Sequence, residues 1–235
     1  MKNYILYTAL FLTILSGTIV SLLYFGILWP NNPDRSTYPV QGIDVSHHQG
    51  KIDWSKVKED RIDFAFIKAT EGGDFVDKNF HTNWQEAAKN HISAGAYHFF
   101  TLCRSGKDQA ANFISVVPVS ENSLPPVIDL EFTGNCSSRP ENFHFETELD
   151  IFYNAIMEHY KTKPIIYTTY EFYEIYDFKK HTERLWMRDI FKEPSPEFQW
   201  IFWQYSNREH ISGIEGYVDG NVFKGSREEF QKLIE

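Results

Sequence analysis

The sequence predicts an α/β fold: a parallel sheet with enough strands to close a barrel, following an apolar N-terminal segment. Three observations carry this. Short apolar runs alternate with amphipathic segments through about Tyr170, the pattern of strand–helix units in a parallel sheet. After Tyr170 strand-like runs follow one another without long helices between them. Residues Tyr4 to Trp29 carry no charge at all.

The apolar run comes first. As a helix it would span about 39 Å at about 1.5 Å per residue, enough to cross a bilayer. A cleavable signal peptide has a shorter apolar region ending in a small-x-small site. Here Ser16, Gly17 and Thr18 lie mid-run. The reading is an uncleaved transmembrane anchor over 1–30, with Lys2 and the amino terminus in the cytoplasm. The rest of the chain then lies outside it. Residues 31–40 read as a proline-punctuated polar linker, and 41–235 as one folded domain. With 42% hydrophobic and 17% aromatic residues, the chain can bury a sizeable core.

Within the domain, "GIDVSH" (42–47) reads as the first strand, and Asp53 and Trp54 as the start of a helix. "DFAFIKAT" (63–70) is the second strand. "KNFHTNWQEAAKNHI" (78–92) has helical spacing, and "AGAYHFFT" (94–101) is a strand. "SGKDQAANFISVV" (105–117) opens with Ser105 and places Asp108 three residues on, a weak capping box. "PPVIDLEF" (125–132) is a strand, and "FETELDIFYNAIMEHY" (145–160) a strongly amphipathic helix. "PIIYTTY" (164–170) is a strand, followed by the aromatic segment "EFYEIYDF". "RLWMRD" (184–189), "FQWIFWQYS" (198–206) and "VDGNVF" (218–223) supply three more strands. Ser226 and Glu229 form a capping box for the last helix. Eight strands can close a barrel, whose active site sits at the C-terminal strand ends.

The chemistry concentrates in acids at those ends. Asp129 and Glu131 are two apart, so on a strand they face the same way. Two carboxylates on an otherwise apolar strand are costly unless solvated, hydrogen-bonded or used. The competing reading is a structural pair binding an arginine or a helix N-terminus. Asp44 lies at the matching end of the first strand, and Asp219 begins the last. Barrel closure makes those strands neighbours, so all four acids can converge on one mouth. Clustered carboxylates raise one another's pKa, leaving one protonated as a general acid while another stays ionised. That is the chemistry of glycosidic bond cleavage. Tyr97, Tyr167, Trp186, Trp203 and Tyr205 lie in or at the ends of strands and are candidates to stack on sugar rings; for each alone, core packing is the competing reading.

Other functions fit less well. His47 and His48 would face opposite sides of a strand and could not share a metal; there is no HExxH or Cys/His cluster, so no metal or cofactor is expected. "KATEGG" lacks the glycine spacing of a phosphate loop, and there is no GxSxG elbow. The net charge of −9 and the absence of a Lys/Arg cluster argue against a nucleic-acid partner. Two cysteines suit a compartment where disulfides persist, or are unrelated buried thiols.

"GIDVSHHQGKIDW", "FAFIKATEG", "AGAYHFF", "LPPVIDLE", "KPIIYTTYEFY", "WQYS" and "VDGNVF" occur in order over residues 42 to 223. Together they resemble the glycoside hydrolase family 25 muramidases, the Chalaropsis-type lysozymes. The resemblance implies a flattened, TIM-like β/α barrel with helix-poor last strands. It implies hydrolysis, with retention, of the β-1,4 bond between N-acetylmuramic acid and N-acetylglucosamine in peptidoglycan. It assigns the general acid to Glu131 and a neighbouring aspartate to Asp129, with Asp44 and Asp219 as the other site acids. Tyr97 and Tyr167 would contact substrate, Lys68 would lie near the saccharide, and Trp203 joins them as a substrate-binding candidate. Asp129 would either attack directly or, the favoured view, assist attack by the substrate's own 2-acetamido group. Two departures concern the groove rim: His48 stands where many members carry an aromatic residue, and "LWMRDIFKEP" differs from the usual pattern. Two other functions stay open, a non-catalytic glycan-binding module and a glycosidase of chitin-like polymers. Finally, Cys103 lies five residues after His98 and Cys136 five after Glu131. If their strands are parallel neighbours, both loops meet at the mouth, and a Cys103–Cys136 disulfide is expected.

Overall fold

The computed structural model describes residues 2–137 and 139–234. Helix α1 (Lys2–Tyr24) precedes a nine-stranded sheet. The strands are β1 (Gln41–Val45), β2 (Phe64–Glu71), β3 (Phe75–Val76), β4 (Ser93–Phe99), β5 (Val127–Leu130), β6 (Ile165–Thr169), β7 (Leu185–Arg188), β8 (Trp200–Glu209) and β9 (Val218–Phe223). Their order is β1-β9-β8-β7-β6-β5-β4-β2-β3, and β1 also pairs with β2. Eight strands therefore close a barrel, and β3 folds back as a short hairpin on β2. The interspersed helices are α2 (Trp54–Glu59), α3 (Phe80–Lys89), α4 (Gly106–Val116), α5 (Asn142–Tyr160), α6 (Tyr170–Ile175) and α7 (Arg227–Gln231).

Local chemistry sets these boundaries. Asp53, Ser105 and Ser226 each accept a hydrogen bond from the N3 backbone amide of the helix they cap. In α5, Phe145, Leu149, Phe152 and Ile156 recur on one face, and that face is buried. β2 reads FAFIKATE, nearly all buried, because a barrel strand is covered on both sides.

Strand alternation then sorts the core in two. One set packs between the strands and the helices; it includes Ile43, Ile67, Phe113, Phe152 and Trp203. The other fills the barrel: Phe64, Phe66, Val127, Ile165, Trp186, Phe202 and Phe223. Phe66 stacks on Trp186 at 4.5 Å, and Phe64 and Phe202 meet edge-on at 5.2 Å. Gly42 and Gly95 make room for this plug. A Cβ on Gly42 would lie 2.5 Å from the Phe64 ring, and one on Gly95 2.7 Å from Phe66. The barrel floor is thus aromatic and closed, and only the mouth is open to polar groups.

Several expectations are corrected. β9 runs antiparallel to both β8 and β1, so the barrel is not wholly parallel. The connection from β8 to β9 is too short for a crossover helix, and a short link returns the chain in the opposite direction. The first strand stops at Val45. His47–Gln49 form a 3-10 turn under a Ser46–Gln49 capping box, with the two histidine rings 4.1 Å apart on the same side. The aromatic segment after β6, for which the sequence carries no assignment, supplies α6. The segment 31–40 is no free linker. Asn31, Tyr38 and Val40 are buried, and Asn31 donates to the Tyr205 and Asp189 carbonyls. Cys103 and Cys136 are free thiols, so the expected bridge is not part of this structure. Their side chains are hydrogen-bonded to each other, which pushes the Cys103 thiol pKa up. Proximity alone does not make the bond, because oxidation needs an electron acceptor.

Residues Asn3–Tyr24 form the one helix among those described that is long and apolar enough to cross a membrane; a signal sequence has the same properties. Its end touches the barrel. Arg208 donates to the Tyr24 carbonyl and lies over the Tyr24 ring, and Trp29 Nε1 donates to the Tyr205 carbonyl at 3.1 Å.

Candidate active site

The mouth holds a cavity of about 290 Å³ lined by Asp44, Asp129, Glu131 and Asp219, with Tyr97, Tyr167, Trp186, Arg188, Gln204 and Asn207. The four acids that the sequence nominated therefore do converge. Asp129 lies within β5, in register with Phe99 on β4 and Tyr167 on β6. Glu131 follows one residue past the strand end, on the same side. Asp44 on β1 sits directly opposite Asp219 on β9. Because β9 is antiparallel, its first residues reach the end where the other strands finish. Clefts of about 480 and 900 Å³ exist elsewhere, but neither gathers buried carboxyls. Chemistry, not size, identifies the site.

Burial dominates its electrostatics, since it penalises the ionised form of each acid. Burial raises Asp44, against hydrogen bonds from Asn221 and Gln204 that hold the pKa down. Asn221 Nδ2 and Gln204 Nε2 donate to Asp44 Oδ2 at 2.7 and 2.8 Å. Asp219 is pushed well above the ordinary range by burial and by the Asp44 charge facing it. Asp219 and Asp44 hydrogen-bond to each other, so the pair holds a proton between them. Tyr167 Oη donates to Gln204 Oε1 at 3.0 Å, and Trp186 Nε1 donates to Asn221 Oδ1 at 2.9 Å. These bonds fix the amide orientations, so that both amides present N–H to Asp44.

The second pair is less satisfied. Burial and the neighbouring Glu131 charge push Asp129 well up, against the pull of Lys68. Its Oδ1 is buried and has no hydrogen-bond partner. Burial raises Glu131 to about 7, with Arg188 opposing. Half of the Glu131 side chains therefore carry a proton near neutral pH. Burial also pushes Tyr97 and Tyr167 well above the usual phenol range, and the neighbouring carboxylates add to this; both remain neutral.

Two expected binding residues lie elsewhere. Trp203 faces away from the cavity, packed against Tyr38, Trp200 and Tyr205, and its Nε1 donates to the Asp189 carbonyl at 2.7 Å. Alternation along β8 gives the inward place to Gln204. Lys68 ion-pairs with Glu71 at 2.7 Å and lies over Phe99; it acts on Asp129 and Glu131 through its charge and does not line the cavity. Conversely, Arg188, Gln204 and Asn221 had no signal of their own. Each sits two residues from an inward aromatic (Trp186, Phe202 or Phe223), and that parity was the available clue. Among the described residues, no group of three or more His, Cys, Asp or Glu is disposed to hold a metal ion.

Raised, clustered carboxyls at the mouth of a closed barrel suit glycosidic bond cleavage, and comparison with known proteins shows a glycoside hydrolase. Residues 43–214 match the model of Glycosyl hydrolases family 25. Lysozyme M1 of Streptomyces globisporus is 35% identical over 206 residues, 81% of this chain and 69% of that protein. A family 25 glycosyl hydrolase from Bacillus anthracis superimposes with a TM-score of 0.79 at 40% identity, covering 87% of this chain and 97% of that one. A bacterial lysozyme from Streptomyces coelicolor gives 0.76 at 33% identity, covering 83% and 96%. The chain belongs to glycosyl hydrolase family 25.

The Glu131 shift has a consequence for stability. Its folded pKa, about 7, exceeds the ordinary value of 4.5. The folded state therefore binds the proton more tightly, and stability falls as pH rises from about 4.5 through about 7. Glu131→Gln removes this loss. At pH 8 the variant should be more stable than the parent, and melt higher, by on the order of 3 kcal/mol: the rise from 4.5 to about 7 at about 1.4 kcal/mol per pKa unit. At pH 4 the two should melt together. Equal differences at both pH values would contradict the assignment.

Proposed function

We propose that this chain is a peptidoglycan muramidase, cleaving the β-1,4 bond between N-acetylmuramic acid and N-acetylglucosamine with retention of configuration. The observation that carries this is the pairing of a carboxyl titrating near 7, Glu131, with an aspartate whose Oδ1 is buried and unpartnered. An unpaired buried acceptor is expensive and invites a donor. The N–H of the sugar's 2-acetamido group supplies one.

In the proposed course, Asp129 accepts that N–H and holds the acetamido oxygen below the anomeric carbon. The acetamido oxygen attacks while Glu131 gives its proton to the departing glycosidic oxygen, and the C–O bond breaks. The N–H of the resulting oxazolinium ion stays hydrogen-bonded to Asp129 Oδ1. Glu131, now ionised, takes a proton from water as that water opens the ring, restoring the carboxyl. Two inversions give net retention. Asp44 and Asp219 share one proton and fix the neighbouring amides. Tyr97 and Tyr167 wall the cavity as neutral phenols. Lys68 acts at longer range.

We place α1 in the membrane as an anchor, with the barrel outside the cytoplasm facing the wall polymer. There Cys103 and Cys136, already side by side, would pass two electrons and two protons to a disulfide oxidant and form a bond across the mouth loops. Non-reducing peptide mapping of protein from an oxidising compartment should recover the linked peptides; two free thiols would contradict this.

The principal test uses purified peptidoglycan and mass spectrometry of the new reducing ends. N-acetylmuramic acid is expected there. N-acetylglucosamine would indicate a glucosaminidase, and no release would indicate a glycan-binding module. Glu131→Gln should lower kcat by at least about 10³-fold without loss of fold, combining the lost acid and base roles. In the parent, kcat/KM should fall about tenfold per pH unit above about 7, as Glu131 loses its proton.

A further inference from the structure

The hydrogen-bond inventory of the cavity leaves particular needs unmet. Asp44 Oδ2 is satisfied by Gln204 and Asn221, Tyr167 Oη is engaged with Gln204, and Trp186 Nε1 with Asn221. Two acceptors have no partner, Asp129 Oδ1 and Asn207 Oδ1. One cation lines the cavity, Arg188, at the end of β7. Among the described residues its guanidinium makes no ion pair within 4.0 Å and no hydrogen bond. It acts on Glu131, Asp44 and Asp219 through space without touching them. Lys68, the nearby alternative, is occupied by Glu71. The cavity thus asks its ligand for N–H or O–H donors and for one anionic, preferably bidentate, acceptor.

A guanidinium presents five donors in a fixed fork that matches a carboxylate. N-acetylglucosamine has no acidic group. N-acetylmuramic acid has one, the 3-O-lactyl carboxyl. It is a free carboxylate in glycan strands stripped of their peptides and a neutral amide where a peptide stem is attached. Resting on the muramidase reading above, we propose that Arg188 is a specificity residue that binds this lactyl carboxylate, so that the enzyme prefers peptide-free glycan strands to peptide-bearing ones. The rival role is general electrostatic tuning of Glu131. That role makes no distinction between the two substrates, so the substrate ratio separates them.

The experiment uses the full chain in detergent and two forms of one substrate. Peptide-free glycan strands keep their lactyl carboxylates in one sample. In the other they are converted to neutral methylamides with a carbodiimide. The readout is kcat/KM for release of reducing ends, across pH 5 to 8. The parent should favour the carboxylate form at least tenfold, the scale of a charge-assisted hydrogen-bond pair. Arg188→Gln should bring the ratio below threefold, and Arg188→Lys should retain an intermediate ratio. Near-UV circular dichroism checks that each variant is folded, and Arg188→Lys serves alone if the glutamine variant is not. A parent ratio near one overturns the inference while leaving the muramidase reading intact. So does an equal loss on both substrates in Arg188→Gln, with or without a shifted pH profile. Failure of the parent to cleave either form overturns the muramidase reading, and the inference with it.

Discussion

The antiparallel pairing of β9 with β1 is the constraint on which the site depends. It closes the barrel, and it sets Asp219 directly against Asp44. A ninth strand entering in the parallel sense would carry its first residues to the floor, among Phe64, Phe66 and Phe202. Reversal delivers them to the mouth. Two carboxyls held face to face in a buried setting cannot both ionise, so the pair retains a proton and becomes a fixed dipolar unit. The aromatic plug below denies water access from the floor, which is why burial outweighs every other influence on these acids.

The two carboxyl pairs differ in how fully their oxygens are bonded. Asp44 and Asp219 are braced by Gln204 and Asn221, which are braced in turn by Tyr167 and Trp186. Such a network is rigid because each buried polar group has its partner. Asp129 and Glu131 lie outside it. One keeps an unpartnered oxygen, and the other is poised to gain or lose a proton near neutrality.

Much of this could be read from residue order. The two-residue spacing of Asp129 and Glu131 fixes their common face once "VIDLEF" is taken as a strand, and barrel closure brings Asp44 and Asp219 to them. What escaped depended on facing direction. Trp203 is aromatic and in a strand, which suggests a sugar-stacking role; the alternation of β8 turns it outward beside Tyr205 and gives the cavity to Gln204. A register shift between β7 and β8 at Leu185/Trp186 lies nearby, and no local sequence feature announces it. The 3-10 turn at His47–Gln49 was hidden for another reason. Ser46 and Gln49 form a capping box at its N-terminal end, within a stretch whose apolar start reads as a continuing strand. Arg188 reads as a surface charge in "RLWMRD" until the strand's parity is known. The burial of Asn31 and Tyr38 depends on contacts that lie far away in the sequence.

Burial in this mouth raises the Glu131 carboxyl to about 7, against the pull of Arg188. Carbon-13 NMR of the glutamate carboxyl carbons, with the Glu131 resonance assigned, measures this directly in the resting protein. The expected result is a titration midpoint about 7. A midpoint near the ordinary glutamate value, about 4.3, would contradict it.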